Sequence, residues 1–454
     1  MPSDVHAPAR SVRAELPILL SLAAPLVLTN AGNMLLGLVD VAVVGRIGED
    51  AIAGAGLGNA IFFTAALFGL GTLFGLDPLL AQALGAGEPS RARAVLTQGL
   101  WLALFISIPL AAIIGLVAAV LPFLGQEPDV VRSAQAYVLA RLPSLLPFLA
   151  LTAARGYLQS IGRARSLVLG VIAANVVNLP VAIALSFGVP EVGLPELGVR
   201  GAGLAATIAT SVQLVVSLAP LPTLDRERGH VGLSRAIDRV LLASAWRLGA
   251  PIGAQIVLEA GSFAIVAFLV GHFGRVSLGA HQIALTCVGC TFQIALGVAA
   301  ATSVRVGTAV GHSDAIGART AGITGMLVGA FGMLLGAFVF AAAPRLVARA
   351  LTDRTELVDA AVPFLLVAAC FQISDGVQTV SQGALRGAGD TRLPLALNVI
   401  GHYVVGLPIG CALAYAMSWG AVGLWWGLSA GLTAVAIAMT LRFLRVSSRT
   451  IARA

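Results

Sequence analysis

Residues 94–120 read AVLTQGLWLALFISIPLAAIIGLVAAV, 27 residues without a charge. A hydrocarbon core of about 30 Å is crossed by about 20 apolar residues in a helix, so this run is long enough to span a bilayer by itself. Runs of the same kind recur along the chain between short polar breaks. Of 454 residues 58% are apolar and 11% charged, with a mean hydropathy of +0.94. No water-solvated globular surface is built from that mixture. In lipid every backbone polar group must be satisfied within the chain, which restricts spanning segments to helices or a closed barrel. A barrel needs strands alternating apolar and polar with aromatic girdles, whereas aromatics here are 6% and the apolar runs are continuous. The chain reads as an all-α polytopic membrane protein.

Twelve spans are expected, at roughly 16–45, 51–82, 94–120, 130–153, 165–188, 201–221, 242–271, 278–304, 318–342, 357–381, 392–416 and 420–443. All 28 basic residues are arginine, scattered in twos and threes, so the net charge of +7 marks topology and not a nucleic-acid partner. With the N-terminus in the cytoplasm, 20 of them fall on that side, Arg10, Arg13 and Arg305 included. Seven fall opposite (Arg46, Arg132, Arg200, Arg275, Arg345, Arg349 and Arg354), and Arg141 lies within the fourth span. The positive-inside bias therefore predicts an inner-membrane protein with both termini cytoplasmic. Arg10 and Arg13 precede an apolar stretch too long for a signal peptide and lacking a small-residue cleavage site, so it is expected to remain as the first span.

The most charged segment, PTLDRERGHVGLSRAIDR at 222–239, lies near the middle. It predicts a cytoplasmic linker (222–241) between an N-terminal six-helix lobe (1–221) and a C-terminal one (242–454). Shifting the sequence by 226 residues superimposes Gly45 and Gly48 on Gly271 and Gly274, Gly71 on Gly297, Gly85 on Gly311, Arg93 on Arg319 and Gly99 on Gly325. At a shift of 227, Gly156, Gly162 and Arg165 fall on Gly383, Gly389 and Arg392. Two copies of six spans keep one orientation, as in parallel-repeat transporters. The 52 glycines suit close helix approach, where lipid offers no hydrophobic drive to associate. Pro25 and Pro109 lie inside spans and predict kinks.

Carboxylates are costly in a bilayer and are kept mainly where they work or pair. Of 21 acidic residues only Asp40, Asp77, Glu259 and Asp375 sit well inside apolar spans, and there is no lysine to neutralise them. Burial favours the neutral form of a carboxyl, which suits reversible proton binding, while clustered carboxylate and amide oxygens suit a hard cation such as Na⁺. Asp40, Glu259 and Asp375 are the candidate cation-coupling and substrate-binding residues, with a helix-stapling hydrogen bond as the plain alternative for each. Asp77 precedes Pro78 near the cytoplasmic end of the second span, which favours a structural or gating role. Pathway-lining candidates are Asn175, Asn178, Gln255, Gln282 and Gln378, with His281 and His402 beside them, although amides and histidines equally staple helices. Cys287, Cys290, Cys370 and Cys411 fall in apolar segments, and Cys287-x-x-Cys290 lacks a second pair to complete a zinc site. There is no Gly-x-x-x-x-Gly-Lys, Gly-x-Ser-x-Gly or His-Glu-x-x-His segment. No ATP chemistry is indicated, which leaves an ion gradient as the energy source, with no cofactor beyond the coupling ion.

GLVDVAVVGRIG in the first span, GAHQIALTCVGCTFQIALGVAAATSVRVGTAVG across the eighth and FQISDGVQTVSQGALRGAGDTRLP across the tenth and eleventh together resemble the multidrug and toxic compound extrusion (MATE) exporters, particularly the NorM-like and eukaryotic branch. The resemblance covers nearly the whole chain. It implies two six-helix bundles that exchange Na⁺ or H⁺ for organic cations, with Asp40 as the first-lobe acid and Glu259 and Asp375 as the second-lobe cation-binding acids, where Na⁺ is a candidate metal. Small organic cations and the lipid bilayer are then the partners, and a monomer is expected. Where many relatives carry an acid or amide shortly after the paired asparagines of the fifth span, this chain has Ala182. That departure weakens the expected link between Asp40 and span five and moves the coupling toward the second lobe. The rival readings are a lipid-linked glycan flippase, which needs arginines to grip a pyrophosphate and for which Arg141 is the intramembrane candidate, and an intramembrane enzyme, for which no nucleophile–base or metal-ligand set is found.

Overall fold

The computed structural model describes residues 11–222, 236–449 and 451–453. Arg10 and most of the expected linker lie outside the described residues. Among the described residues twelve helices are long and apolar enough to cross a membrane. They are span 1 (Val12–Val44), span 2 (Glu49–Gly85), span 3 (Pro89–Leu124), span 4 (Pro128–Ser160), span 5 (Arg165–Phe187), span 6 (Val199–Leu218), span 7 (Arg239–Gly271), span 8 (Arg275–Gly311), span 9 (Ala315–Ala342), span 10 (Thr355–Gly387), span 11 (Arg392–Ala416) and span 12 (Ala421–Val446). Large apolar side chains such as Ile108, Leu116 and Phe331 point outward and are exposed, as expected of surfaces that face hydrocarbon and not water. Spans 8 and 10 run past the expected ends at 304 and 381 because their polar motifs remain helical. There Gly383 packs on the Ala299 backbone and Gly387 on that of Ser303, so helix axes meet at glycines and the motif polar groups face a neighbouring helix and not a loop.

The chain divides into two compact units, one of 1–27, 81–87 and 254–454, the other of 28–80 and 88–253. Under the 226-residue shift the boundary after Val27 falls on the boundary after Gly253. Each unit therefore takes the first half-helix of the opposite repeat, where lobes cut at 1–221 and 242–454 keep both halves with their own. The packing shows why. A Cβ on Gly71 would meet the backbone of Gly253 at 2.6 Å, and in the other unit a Cβ on the equivalent Gly297 would meet the backbone nitrogen of Val27 at 2.9 Å. Equivalent small residues make equivalent close contacts, and those contacts hold the half-helices in place. At the described start of span 7, Gln98 in span 3 donates from Nε2 to the Ala236 carbonyl at 2.9 Å and accepts from the Asp238 N–H at 3.1 Å. Asp238 then caps the helix by accepting from Val240 and Leu241.

The repeat extends to the turns. Span 4 ends with Gly162 N–H bonding Gln159 C=O at 3.0 Å and Arg163 N–H bonding Leu158 C=O at 2.7 Å; span 10 ends with Gly389 bonding Arg386 at 2.9 Å and Asp390 bonding Leu385 at 2.9 Å. Both are Schellman caps, and both need the left-handed φ of their glycine, 75° at Gly162 and 80° at Gly389. These are positions superimposed by the shift of 227.

Span 11 is not uniform. Ile400–Gly406 and Ala412–Ala416 are π-helical, separated by one α-helical turn. Because π hydrogen bonds join residues five apart, Gly401 and Gly406 share a face, and Gly410 continues it at α spacing. Against that face span 12 sets Gly423, Gly427 and Gly431, four residues apart, so the two backbones touch.

Candidate functional site

In the unit containing 254–454, span 7 presents Glu259 with both carboxylate oxygens held. Gln378 of span 10 donates from Nε2 to Oε1 at 2.9 Å, and Asn398 of span 11 donates from Nδ2 to Oε2 at 3.0 Å. An amide that donates to a carboxylate turns its carbonyl away, and Gln378 Oε1 and Asn398 Oδ1 are indeed buried without partners among the described residues. Asp375 lies one turn before Gln378 on the same face of span 10 and is buried. Its carboxyl makes no hydrogen bond or ion pair among the described residues, and Glu259 is close enough to act on it electrostatically. Gln255, one turn before Glu259, is buried on the same helix. Two carboxyls thus stand near one another among amides, and a carboxyl in such surroundings can take up a proton or attract a cation.

The wall around it is fixed by span 11. Tyr403 donates from its hydroxyl to the Leu258 carbonyl at 2.7 Å, next to Gly261, where a Cβ would meet that hydroxyl at 3.0 Å. His402, one turn after Asn398, is buried against Phe263 with ring centroids 6.3 Å apart, and neither ring nitrogen has a partner among the described residues. His281 is held differently. Trp425 donates from its indole to His281 Nδ1 at 2.9 Å inside the core formed by Phe364, Phe371 and Trp425, so this histidine staples spans 8 and 12. Trp425→Phe removes that donor and is expected to cost about 1–3 kcal/mol in thermal or urea unfolding, with cation transport unchanged.

In the other unit Asp40 of span 1 accepts from Asn178 Nδ2 of span 5 at 3.0 Å, and Arg141 of span 4 places Nη1 3.9 Å from Asp40 Oδ2. The expectation that Ala182 weakens the Asp40 link to span five is corrected here. Asn178, one turn earlier, makes that link, and Ala182 packs with Val43 and Ala205. With no lysine in the chain, the cation beside Asp40 is an arginine, Arg141 at the end of the helix Pro128–Arg141. Arg141, the intramembrane candidate for gripping a pyrophosphate, instead stands 3.9 Å from a carboxylate and donates to Asn59 and Tyr137.

The remaining expected residues are not brought to either acid cluster. Asn175 donates to the carbonyls of Gly32 at 3.0 Å and Val171 at 2.8 Å, a staple between spans 1 and 5. Gln282 is exposed on span 8. Asp77 is buried, with Oδ1 2.8 Å from where a Cβ on Gly156 would stand, which seats it against span 4. The cysteines are free thiols.

Sequence reasoning missed Asn398, Tyr137 and Asn59, and it placed Glu15 and Arg305 at the membrane edge. The structure buries these last two as a bidentate pair, Nε to Oε1 at 2.5 Å and Nη2 to Oε2 at 2.7 Å. Asn398 was open to the same reasoning as Asn175, since both are amides in apolar runs.

The MatE family model matches residues 25–184 and again residues 251–412, in register with the internal repeat. The chain is 37% identical over 452 residues, 97% of its length and 98% of the relative's, to a probable multidrug resistance protein NorM of Deinococcus radiodurans. It is 36% identical over 441 residues, 95% of this chain and 94% of the relative, to a probable multidrug resistance protein NorM of Bradyrhizobium diazoefficiens. Among solved structures, a eukaryotic MATE transporter superposes with a TM-score of 0.84 at 22% identity over 95% of this chain and 96% of its own. An outward-facing multidrug resistance MATE family transporter of the MOP superfamily superposes at 0.87 and 18% identity over 98% and 97%. At these identities the superpositions show the shared fold. With the family model covering both halves and full-length relatives above a third identical, the chain belongs to the MatE family, the MATE membrane transporters.

Proposed function

We propose that this chain is a secondary-active antiporter of the inner membrane that exports amphipathic organic cations in exchange for Na⁺ or H⁺, working as a monomer with both termini in the cytoplasm. The observation that supports this most is the Glu259 carboxylate, fixed on both oxygens by Gln378 and Asn398 beside the buried, unpaired Asp375. Negative charge held in such surroundings favours any cation that reaches it, and the full negative charge is available to only one kind of cation at a time. A coupling ion entering from outside neutralises the acids, the drug cation loses affinity and leaves, and release of the ion to the cytoplasm restores the charge. The name carried by the relatives, multidrug resistance, supplies the substrate class. Asp40 is assigned a cation-binding role in the other unit, and Asp77 a structural one.

The test is ethidium efflux from cells carrying Glu259→Gln or Asp375→Asn at native expression. Efflux is expected to fall by roughly tenfold or more, the factor matching about 1.4 kcal/mol of lost cation binding. Uptake into proteoliposomes under a sodium gradient alone and a pH gradient alone then identifies the coupling ion. Full efflux in both variants, or uptake with neither gradient, overturns the reading.

A further inference from the structure

The two repeats part company at one staple. In the unit of 28–80 and 88–253, Asn175 of span 5 donates to the Gly32 carbonyl at 3.0 Å, and the next residue of span 1, Asn33, accepts from Gln213 at 2.9 Å. The shift of 226 places Gly32 and Asn33 on Leu258 and Glu259, and the shift of 227 places Asn175 on His402. In the unit containing 254–454 the Leu258 carbonyl is still held from span 11, but by the Tyr403 hydroxyl at 2.7 Å. The staple has moved one residue along, and the side chain at the Asn175 position is released from it. His402 is 1% exposed, its ring centroid lies 6.3 Å from that of Phe263, and neither nitrogen has a partner among the described residues. A buried polar group without a partner is uncommon and costs stability, so a histidine kept for packing alone would be expected to close on the carbonyl that Asn175 takes in the other repeat. The charged neighbour of His402 is Glu259. Asn398, one turn before His402, donates to that carboxylate, Phe263 lies one turn after Glu259 on span 7, and Glu259 is close enough to act on the imidazole electrostatically.

We propose that His402 is a specificity-determining residue of the Glu259 site, its ring nitrogen accepting a hydrogen bond from the bound cation, so that ammonium ions carrying at least two N–H groups are favoured over those carrying one or none. The proposal rests on the reading of the chain as a cation exporter and adds a residue and a ligand feature to it. Glu259 is half-buried and His402 buried, so an entering cation meets the carboxylate before the ring. Each oxygen of Glu259 already accepts one amide N–H, from Gln378 or Asn398. An ammonium that gives one N–H to the carboxylate has its second left over, and a donor taken out of water without an acceptor weakens binding. A neutral imidazole supplies one acceptor nitrogen for it. A quaternary ammonium has no N–H and draws on charge alone, so His402 does nothing for it.

The test uses the purified full chain in detergent micelles. Bound ethidium is displaced by benzylmethylammonium, benzyldimethylammonium or benzyltrimethylammonium, which carry two, one and no N–H groups, at one pH at which both amines are protonated. The native chain is expected to bind the first about tenfold more tightly than the second, the effect of one hydrogen bond from a charged donor. His402→Leu is expected to bring that ratio close to one while the ratio of the second to the third, which the carboxyls set, stays at its native value. His402→Gln, which keeps an acceptor, is expected to retain most of the first ratio. Tyr403→Phe, which removes the staple alone, is expected to lower all three affinities together. His402→Phe gives the same readout if the leucine variant is not recovered folded. A native ratio near one overturns the proposal, as does a native-like ratio in the leucine or phenylalanine variant. Failure of both variants to fold overturns it too, because the ring is then structural. A native chain that binds no ethidium overturns the cation-export reading and this proposal with it, whereas ethidium binding with an unaltered ratio overturns this proposal alone.

Discussion

Arg305→Met is expected to destabilise the chain by about 3–5 kcal/mol, the cost of leaving a buried carboxylate without its partner. Arg305 and Glu15 are 4% and 1% exposed at their side chains and are joined by two charge-assisted hydrogen bonds. Removing the cation strands Glu15 in the first turn of span 1, where neither water nor lysine reaches it. Glu15→Gln is expected to be nearly as damaging, since it strands the guanidinium instead. Glu15→Leu combined with Arg305→Met is expected to recover most of the loss, because an apolar pair removes both the attraction and the desolvation penalty. Urea unfolding of the purified protein, run as a double-mutant cycle, measures the coupling directly. If Arg305→Met unfolds at the native urea concentration, the pair contributes nothing to the fold and this account of the SVRVG motif is lost.

Gly427→Leu is expected to cost roughly 3 kcal/mol or more through overpacking. A Cβ at Gly427 would collide with Gly410 Cα and nitrogen and stand 2.5 Å from the Gly406 carbonyl oxygen, and all of these are backbone atoms. No rotamer change relieves such a contact. Spans 11 and 12 must move apart, and span 11 carries Asn398, which holds Glu259. The variant is therefore expected to lose transport together with stability. Gly115→Leu in span 3 is the control, because nothing lies within 4 Å of a Cβ there, and it is expected to match the native chain. Equal unfolding temperatures for the two variants would show that the span 11–span 12 contact is not tight.

Much of this architecture was legible in the sequence because the bilayer enforces it locally. Twelve apolar runs predict twelve helices for reasons internal to each run: length against hydrocarbon thickness, and the need to close every backbone hydrogen bond. The acids were legible for the same reason, since Glu259 and Asp375 are conspicuous in lipid whatever surrounds them. The glycine repeat at 226 and 227 residues was also readable, because Gly162 and Gly389 occupy a backbone conformation that other residues resist.

Which groups meet was not legible. Arg141 at one helix end and Asp40 near the end of another are separated by 101 residues, and nothing in either segment says that the two stand 3.9 Å apart. Glu15 and Arg305 read as edge charges until the exchange of half-helices brings span 1 into the other repeat's unit. The π-helical turns of span 11, which lie against Gly423, Gly427 and Gly431 and carry His402, leave no mark in hydropathy. The sequence by itself determined that helices must form, how many, and that a few carboxylates among them must have a purpose. Only the tertiary structure decided which partners those carboxylates have, because charge pairing and helix contact depend on distances between segments remote along the chain, while spanning a membrane depends on each segment alone.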